Sequence, residues 1–211
     1  MSRKITNGPL RNKARTELKL IDALGEILSL KGFTGLNVKT VAEKAQLDRR
    51  LIYEYFGGLE GLIKAYLDRK DYWKTPAAQV EQMIAQSKMD NGKEVLHQIL
   101  ERQYTSLLEN DEMRKIIHWG LSEDMQPLKE LNKERELFGE AFFTQITDHR
   151  FKKKNIRAIT AILISGIYYL TLYPEMNGPH FCGIDITSKR GQKQIRQSLH
   201  KIIEWAYQEP L

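Results

Sequence analysis

The stretch "LDRRLIYEYFGGLEGL", residues 47–62, places two adjacent arginines after an aspartate and follows them with three aromatic residues. Leu51 and Ile52 lie about one helical turn before Phe56, so these side chains can face a core while the arginines remain outside. Two consecutive glycines then favour the end of the helix. The pattern predicts a very short helix over 49–56 with a cationic start and an apolar side.

Helices are also predicted on both sides of this segment. Asn37 can cap a short helix over 38–45, two turn residues follow it, and Asp48 can cap the next helix. A longer helix over 14–31 comes first and a fourth helix over 59–73 comes last, whereas residues 1–13 suggest a flexible basic arm. The apolar stripe predicted for the first helix is Leu18, Ile21, Leu24 and Leu28. Two short helices joined by a tight turn after a longer helix form the helix-turn-helix layout.

The residue types of this layout suit contact with DNA. Arg49 and Arg50 stand at the end of the second short helix that enters the major groove, where arginine can bind guanine O6 and N7. Tyr53, one turn further on, can place its hydroxyl on a phosphate, while Tyr55 fits either a DNA contact or core packing. Side chains at the start of the helix over 38–45 can contact backbone phosphates. The candidate DNA-binding residues are Asn37, Lys39, Thr40, Asp48, Arg49, Arg50, Tyr53 and Tyr55.

The segment over 32–62 resembles the DNA-binding segment of TetR-family transcriptional regulators. The matching positions are Gly32-Phe33, Val41-Ala42, Ala45, Leu47, Ile52-Tyr53, Tyr55-Phe56, Glu60 and Leu62. Three positions depart from the family pattern: Gln46 stands in place of the turn glycine, Asp48 in place of a serine or threonine cap, and Leu59 in place of a lysine. The resemblance implies an all-α chain, with a helix-turn-helix head over 14–58 and an effector-binding and dimerisation domain over 59–211. The helix over 59–73 would connect the two.

The charge of the chain is concentrated at its N-terminal end. The chain has 211 residues with 33 Lys and Arg, 27 Asp and Glu, and a net charge of +6. Residues 1–70 hold 14 basic and 8 acidic residues, so the remainder holds 33 − 14 = 19 basic and 27 − 8 = 19 acidic residues. This asymmetry favours a nucleic-acid-facing head and a neutral second domain, although a solvated surface gives the same balance.

Several features point to a cytoplasmic protein. The N-terminus lacks the apolar core of a signal peptide, and the apolar run over 158–173 is shorter than the roughly 20 residues that cross a bilayer. Cys182 is the only cysteine, which excludes an intrachain disulfide and a multi-cysteine metal site. We therefore expect no membrane partner.

Helical periodicity continues through the second domain. Helices are predicted over 76–88, 93–109, 111–119, 126–150, 155–173 and 188–207, and the stretch over 181–187 is expected to be a loop. The helix over 155–173 is apolar on nearly all faces, which requires burial on more than one side. The family resemblance assigns the last two helices to a homodimer interface built as a four-helix bundle; the alternative is that both are interior helices of a monomer.

The sequence says less about a small-molecule ligand than about DNA binding. The family resemblance implies an effector pocket among the middle helices, and an aromatic lining would suit an apolar or planar molecule. Taken singly, each candidate fits a core residue better than a pocket residue, because aromatic side chains at helical spacing usually fill cores. The candidates are Tyr104, His118, Trp119, Phe142, Phe143, Tyr168 and Tyr169. His180 and Cys182 have a spacing compatible with metal binding but no evident third ligand, so neither a metal nor another cofactor is predicted; a redox-sensitive Cys182 is a further alternative.

These observations favour a dimeric repressor that a small-molecule effector releases from a palindromic operator. A DNA-binding regulator without an effector is the nearer alternative. The five histidines and many carboxylates could supply acid-base pairs, but they form none of the usual catalytic motifs, so an enzyme is disfavoured.

Overall fold

The first helices of the chain pack into a small head. In the computed structural model, which describes residues 9–70, 83, 85, 87, 90–145 and 155–208, the head begins with α1 (Pro9–Lys31). It continues through a short 3-10 turn and then α2 (Val38–Ala45), α3 (Arg50–Phe56) and α4 (Leu59–Arg69). Helix α1 packs against α2 and α4, and α3 packs against α4. The core of the head contains Leu20, Leu24, Leu28, Val41, Ile52, Leu62, Ile63 and Tyr66, all with no exposed side-chain surface.

Helix α1 differs from its prediction in two ways. It begins at Pro9 and not near residue 14, because proline suits the first helical position, where its missing N–H would have no partner. The predicted arm is therefore helical from residue 9, and residues 1–8 lie outside the described part. Leu18 is 43% exposed, whereas Leu20 is fully buried. At 3.6 residues per turn, Leu18 lies about 120° around the helix from Leu24 at the centre of the buried stripe.

The head also extends further along the chain than predicted. The described residues within 1–72 and 119–133 form one compact unit, and those within 73–118 and 134–211 form another. The predicted division after residue 58 differs from this, because α4 supplies buried side chains to the head. In the same unit, the rings of Phe33 and Trp119 stack at 6.3 Å, and Lys64 Nζ lies 2.6 Å from a carboxylate oxygen of Glu130.

The second unit is built mainly from three long helices. It contains α5 (Lys93–Glu109), α8 (Ile156–Asn177) and α9 (Lys189–Gln208), with α8 and α9 both packed against α5. Helix α6 (Asp111–Ser122) and helix α7 (Gln126–Gln145) each contribute residues to both units. The predicted helix over 93–109 is confirmed. The predicted helix over 76–88 lies outside the described residues except for 83, 85 and 87, which are helical, and so do 71–73 and 146–150.

A small β-hairpin joins α8 to α9, where the sequence had suggested a loop. Strand β1 (His180–Phe181) pairs antiparallel with β2 (Ile184–Asp185). The two turn residues, Cys182 at φ 51° and Gly183 at φ 75°, are both left-handed, which matches the twist of a two-residue hairpin turn. The strands are too short to show a period, so the sequence pattern was insufficient to predict them.

Helix α8 is longer than predicted and continues through Pro174 to Asn177. At 22 residues, with an 18-residue window of mean hydropathy 1.5, it is longer than the apolar run over 158–173 and is long and apolar enough to cross a membrane by length and composition alone. A core or interface helix of a soluble protein meets the same two criteria, so this helix alone is weak evidence for a membrane span. Only 28% of its most apolar window is buried, which leaves an apolar helix largely uncovered.

Candidate nucleic-acid interface

The first turn of α3 is organised by Asp48. Its Oδ1 accepts a hydrogen bond of 2.8 Å from the backbone N–H of Arg50, which satisfies one of the free donors at the helix start. The side chains of Arg49 and Arg50 are both exposed. Neither guanidinium forms an ion pair with a carboxylate among the residues that the structure describes. Two cations beside the positive end of the helix dipole are unfavourable there, so an anionic partner would stabilise them.

Other cations of the same unit already have acidic partners. Lys44 Nζ lies 2.6 Å from Glu26, Lys13 lies 3.8 Å from Glu17, and Arg69 lies 3.8 Å from Asp22. Lys64 pairs with Glu130. These contacts neutralise positive charge on α1, α2 and α4. The arginines at the start of α3 keep their positive charge without such a partner among the described residues. This location is the part of a helix-turn-helix that meets the major groove.

Tyr53 and Tyr55 have different surroundings. Tyr53 is 57% exposed and lies one turn after the arginine pair, as expected for a side chain that reaches a phosphate. Tyr55 is half-buried, and Lys13 Nζ from α1 lies 5.1 Å from the centre of its ring. The ring of Tyr55 therefore packs within the head, and the structure favours a packing role for it.

The start of α2 is held by a reciprocal pair of hydrogen bonds. Asn37 Oδ1 accepts from the Thr40 N–H at 2.9 Å, and Thr40 Oγ1 accepts from the Asn37 N–H at 3.1 Å. The Thr40 hydroxyl also donates to the Gly35 carbonyl at 2.8 Å, so this side chain already has partners inside the head. Lys39 has 80% of its side chain exposed and lies 3.9 Å from Glu43, which leaves its ammonium accessible.

The turn between α2 and α3 adopts a conformation that glycine usually provides. Gln46 ends α2 with φ 56° and ψ 46°, in the left-handed region, and its N–H donates to the carbonyls of Ala42 and Glu43. A residue with a side chain has a strained backbone in this region, and the side chain of Gln46 is exposed. The turn therefore keeps helix-turn-helix geometry without the glycine, at a local conformational cost.

Gly61 is a further residue that the sequence analysis missed. A Cβ at this position would lie 1.8 Å from the Phe56 carbonyl oxygen, so only glycine lets the last turn of α3 contact the first turn of α4. The signal was present as a third glycine in "GGLEG" (57–61), four residues after the first. Gly61 therefore sets the position of α3 against α4.

The seven aromatic and histidine candidates for an effector pocket have different surroundings. Trp119 belongs to the first unit and stacks on Phe33. Tyr169 is 53% exposed and contacts the hairpin ring of Phe181. His118 is half-buried, and Phe142 packs edge-on against Phe143 at 5.2 Å.

Two tyrosines of this set are removed from solvent to different degrees, since Tyr104 is buried and Tyr168 is half-buried. Tyr104 is 1% exposed, and the guanidinium of Arg196 lies 5.2 Å from the centre of its ring. Burial raises the pKa of the Tyr104 hydroxyl, and burial likewise raises the pKa of Tyr168.

A groove of about 480 Å³ lies between α5 and α9 in the second unit. Its lining is charged rather than aromatic, and none of the seven candidates lines it. Arg196 lines the groove and also covers Tyr104. The lining residues include His97, Glu101, Thr105, Arg196 and His200.

Beside this groove, a cluster of charged side chains connects α5 to α9. The ring of His97 stacks on that of His200, with centroids 3.8 Å apart, and His97 Nε2 lies 3.2 Å from Glu204 Oε1. A hydrogen bond from His97, together with Lys93, lowers the pKa of the Glu204 carboxyl. His97 and Glu204 are 107 residues apart in the chain, so local spacing could not reveal their contact. In the sequence, only the four-residue spacing of His200 and Glu204 indicates that two members of this cluster lie close together.

The head thus has the geometry of a DNA-binding helix-turn-helix: two short helices at a tight turn, a capped second helix, and exposed arginines at its start. This arrangement is typical of a DNA-binding head. Residues 20–66 match the family model of bacterial regulatory proteins of the tetR family. The N-terminal head is therefore similar to the DNA-binding segment of that family.

Solved structures with a similar fold support the same architecture. Two crystal structures of NalD from Pseudomonas aeruginosa, the secondary repressor of the MexAB-OprM multidrug efflux pump, are similar to this chain. One has a TM-score of 0.58 at 15% identity and covers 92% of this chain and 96% of NalD. The other has a TM-score of 0.56 at 15% identity and covers 88% and 96%. A comparison with curated protein sequences found no match. The all-α prediction, with a helix-turn-helix head followed by a helical domain, is confirmed.

Proposed function

We propose that this regulator is a cytoplasmic repressor that binds a palindromic operator as a homodimer and is released by a small-molecule effector. The observation that carries the proposal is the pair of exposed arginines at the start of α3, which have no acidic partner among the described residues. NalD, which shares this fold, is a repressor, and we extend that role to this chain. The genes under control do not follow from that similarity.

In the DNA complex, Arg49 and Arg50 would bind base edges, most favourably guanine. Tyr53 and Lys39 would contact phosphates and so fix the register of the head on the duplex. Asn37, Thr40 and Asp48 would act mainly by ordering the starts of α2 and α3, whose free N–H groups can then meet phosphates. Tyr55 would support α3 from the α1 side. Neutralising several phosphates makes the affinity strongly dependent on salt.

The homodimer would form through α8 and α9. Ile162 is 70% exposed, Tyr169 53% and Met176 69%, and their spacing places them along one side of α8. Trp205 on α9 is 61% exposed. Covering these apolar side chains with a second copy would remove their surface from water, which is the main favourable term in association. Two heads related by two-fold symmetry would read half-sites about 34–36 Å apart.

The effector would bind in the groove between α5 and α9. Its volume of about 480 Å³ falls within the usual range for small-molecule sites, and its lining combines apolar surface with charged groups such as Glu101 and Arg196, which suits an amphipathic ligand. Arg196 lies about 180° from Trp205 around α9, so the groove and the proposed dimer face lie on opposite sides of one helix. An effector that binds one state of α9 better than another would shift the population of dimers able to span the operator. Of the seven predicted pocket residues, Tyr104 contributes indirectly, through Arg196.

Selection of randomised duplexes on the purified full chain, followed by sequencing, tests this function. We expect one palindromic motif to be enriched by the natural chain and not by the double variant Arg49→Ala/Arg50→Ala. The matched control is Lys129→Ala/Lys133→Ala, which removes two cations from the same unit and should enrich the same motif. Enrichment that survives the arginine changes, or that is lost equally in the control, would contradict the assignment of α3 as the recognition helix.

A further inference from the structure

The cluster between α5 and α9 has the composition of a metal site. Among the residues that the structure describes, His97, His200 and Glu204 each offer one ligand atom, and these atoms all lie within 4.8 Å of one another. His200 and Glu204 are four residues apart on α9 and therefore share a face of that helix. His97 approaches them from α5. Two imidazoles and one carboxylate are also the ligand set of many three-ligand zinc sites.

The distances are close to those that a bound ion requires. Metal–ligand distances of about 2.0–2.2 Å in a tetrahedral site place neighbouring ligand atoms about 3.4 Å apart. The His97 Nε2 to Glu204 Oε1 distance of 3.2 Å is near that value without rearrangement. His200 is exposed, and its ring currently stacks on His97. A rotation of this accessible side chain would bring a ring nitrogen to the third position.

A bound ion would replace Lys93 as the cationic partner of Glu204. Its Nζ lies 3.3 Å from the Glu204 carboxylate, so this carboxylate already has a cationic partner. About a third of the Lys93 side chain is exposed, and a flexible lysine can turn outward into solvent. His97 and His200 also line the groove, so a fourth coordination position would open towards a space of about 480 Å³. An open position is the property that distinguishes reactive or ligand-binding sites from closed structural ones.

We propose that His97, His200 and Glu204 bind a divalent transition-metal ion, whose open coordination position faces the groove between α5 and α9. Zinc, cobalt and nickel suit two imidazoles with one carboxylate, whereas calcium and magnesium prefer all-oxygen sites. The ion would join α5 to α9 in place of the Lys93 ion pair. The site depends on these side chains alone and not on the DNA-binding function of the head.

Titration of the metal-free full chain with Co²⁺ alone, followed by displacement with Zn²⁺, tests the proposal. We expect one Co²⁺ per chain, with the visible absorption bands of a four- or five-coordinate ion that Zn²⁺ removes. His200→Ala and Glu204→Gln should each weaken binding by about tenfold or more, because even indirect changes at metal sites cost about that much. Both changes are at partly or fully exposed positions, and circular dichroism confirms that each variant is folded.

Two further variants separate this site from general coordination by surface histidines. Lys93→Ala should tighten Co²⁺ binding severalfold, because the carboxylate loses the cation that competes with the metal. His180→Ala removes an exposed histidine in the hairpin and should leave binding unchanged. Absence of stoichiometric binding would overturn the proposal, and so would binding that survives both ligand changes or weakens in Lys93→Ala; the cluster would then be an ion-pair network only. No DNA is present, so this outcome is distinct from a failure of the proposed regulator function.

Discussion

Replacing Gly61 with alanine should force α3 away from α4, because the added Cβ would lie 1.8 Å from the Phe56 carbonyl oxygen and 2.9 Å from its carbonyl carbon. An ordinary contact would need roughly 3.4 Å, so the two backbones must separate by about 1.6 Å. No side-chain rotation can relieve the clash, since the opposing atoms are backbone. Ile52 on α3 and Leu62 on α4 are both fully buried, and the separation would loosen their packing.

The expected cost follows from two opposing effects. Overpacking of this kind costs about 1–3 kcal/mol or more, and the gain from alanine over glycine in a helix offsets about 1 kcal/mol of that. We expect a net loss of about 1–2 kcal/mol in the free energy of unfolding of the head, which lowers its melting temperature by about 5–10 °C. A displaced recognition helix should also bind the operator at least about tenfold more weakly, because contacts to bases tolerate misplacement of only about 0.5 Å.

Thermal unfolding followed by circular dichroism and operator binding followed by fluorescence anisotropy measure these two effects. The matched control is Gly120→Ala in the same unit, where the added Cβ would meet its nearest neighbour, Asn132, at an ordinary 3.6 Å. This control should be neutral or slightly stabilising. A Gly61→Ala protein with unchanged melting temperature and unchanged operator affinity would refute the close approach of α3 to α4.

Three other changes have defined outcomes. Gln46→Gly should raise the free energy of unfolding by up to about 1 kcal/mol in urea denaturation, because glycine adopts φ 56° without the strain of a side chain; a destabilised variant would contradict the left-handed turn. Asp48→Ala should lower it by about 1 kcal/mol through loss of the cap on α3, whereas Asp48→Asn keeps the acceptor and should be close to neutral; equal losses would indicate that charge matters and not the cap. Ile162→Glu should weaken dimerisation at least about tenfold in analytical ultracentrifugation, while Leu137→Glu, 61% exposed on α7, should leave it unchanged; a dimer insensitive to Ile162→Glu would place the interface elsewhere.

The parts of the fold that could be predicted are those determined by neighbouring residues. The short helices, the Asn37 cap and the aspartate cap on α3 follow from side chains that bond to backbone groups two or three residues away, so their signals are local. The exposed arginines could be predicted for the same reason, because their position at the helix start is a matter of sequence order. The helix over 93–109 could likewise be predicted from the period of its apolar residues.

The parts that could not be predicted depend on contacts between distant segments. Trp119 was assigned to a pocket because nothing in its neighbourhood indicates that it stacks on Phe33. The approach of His97 to Glu204 brings together residues far apart in the chain. The prediction for Leu18 was wrong by a smaller margin. Its spacing from Ile21 suits the apolar stripe of α1, but its side chain lies beside the buried stripe and not within it. The apolar period of a sequence locates the buried face of a helix only to within about one residue position.

The most direct test of the account compares the affinity of the natural chain for the selected palindrome with its affinity for a shuffled duplex at the same salt concentration. Fluorescence anisotropy should show a preference of at least about a thousandfold for the palindrome, with two chains bound per duplex. Arg49→Ala/Arg50→Ala should reduce this preference at least about a hundredfold, because each guanidinium pair with a base contributes about 1–3 kcal/mol. Equal affinity of the natural chain for both duplexes, or a preference that the arginine changes leave intact, would contradict sequence reading by α3.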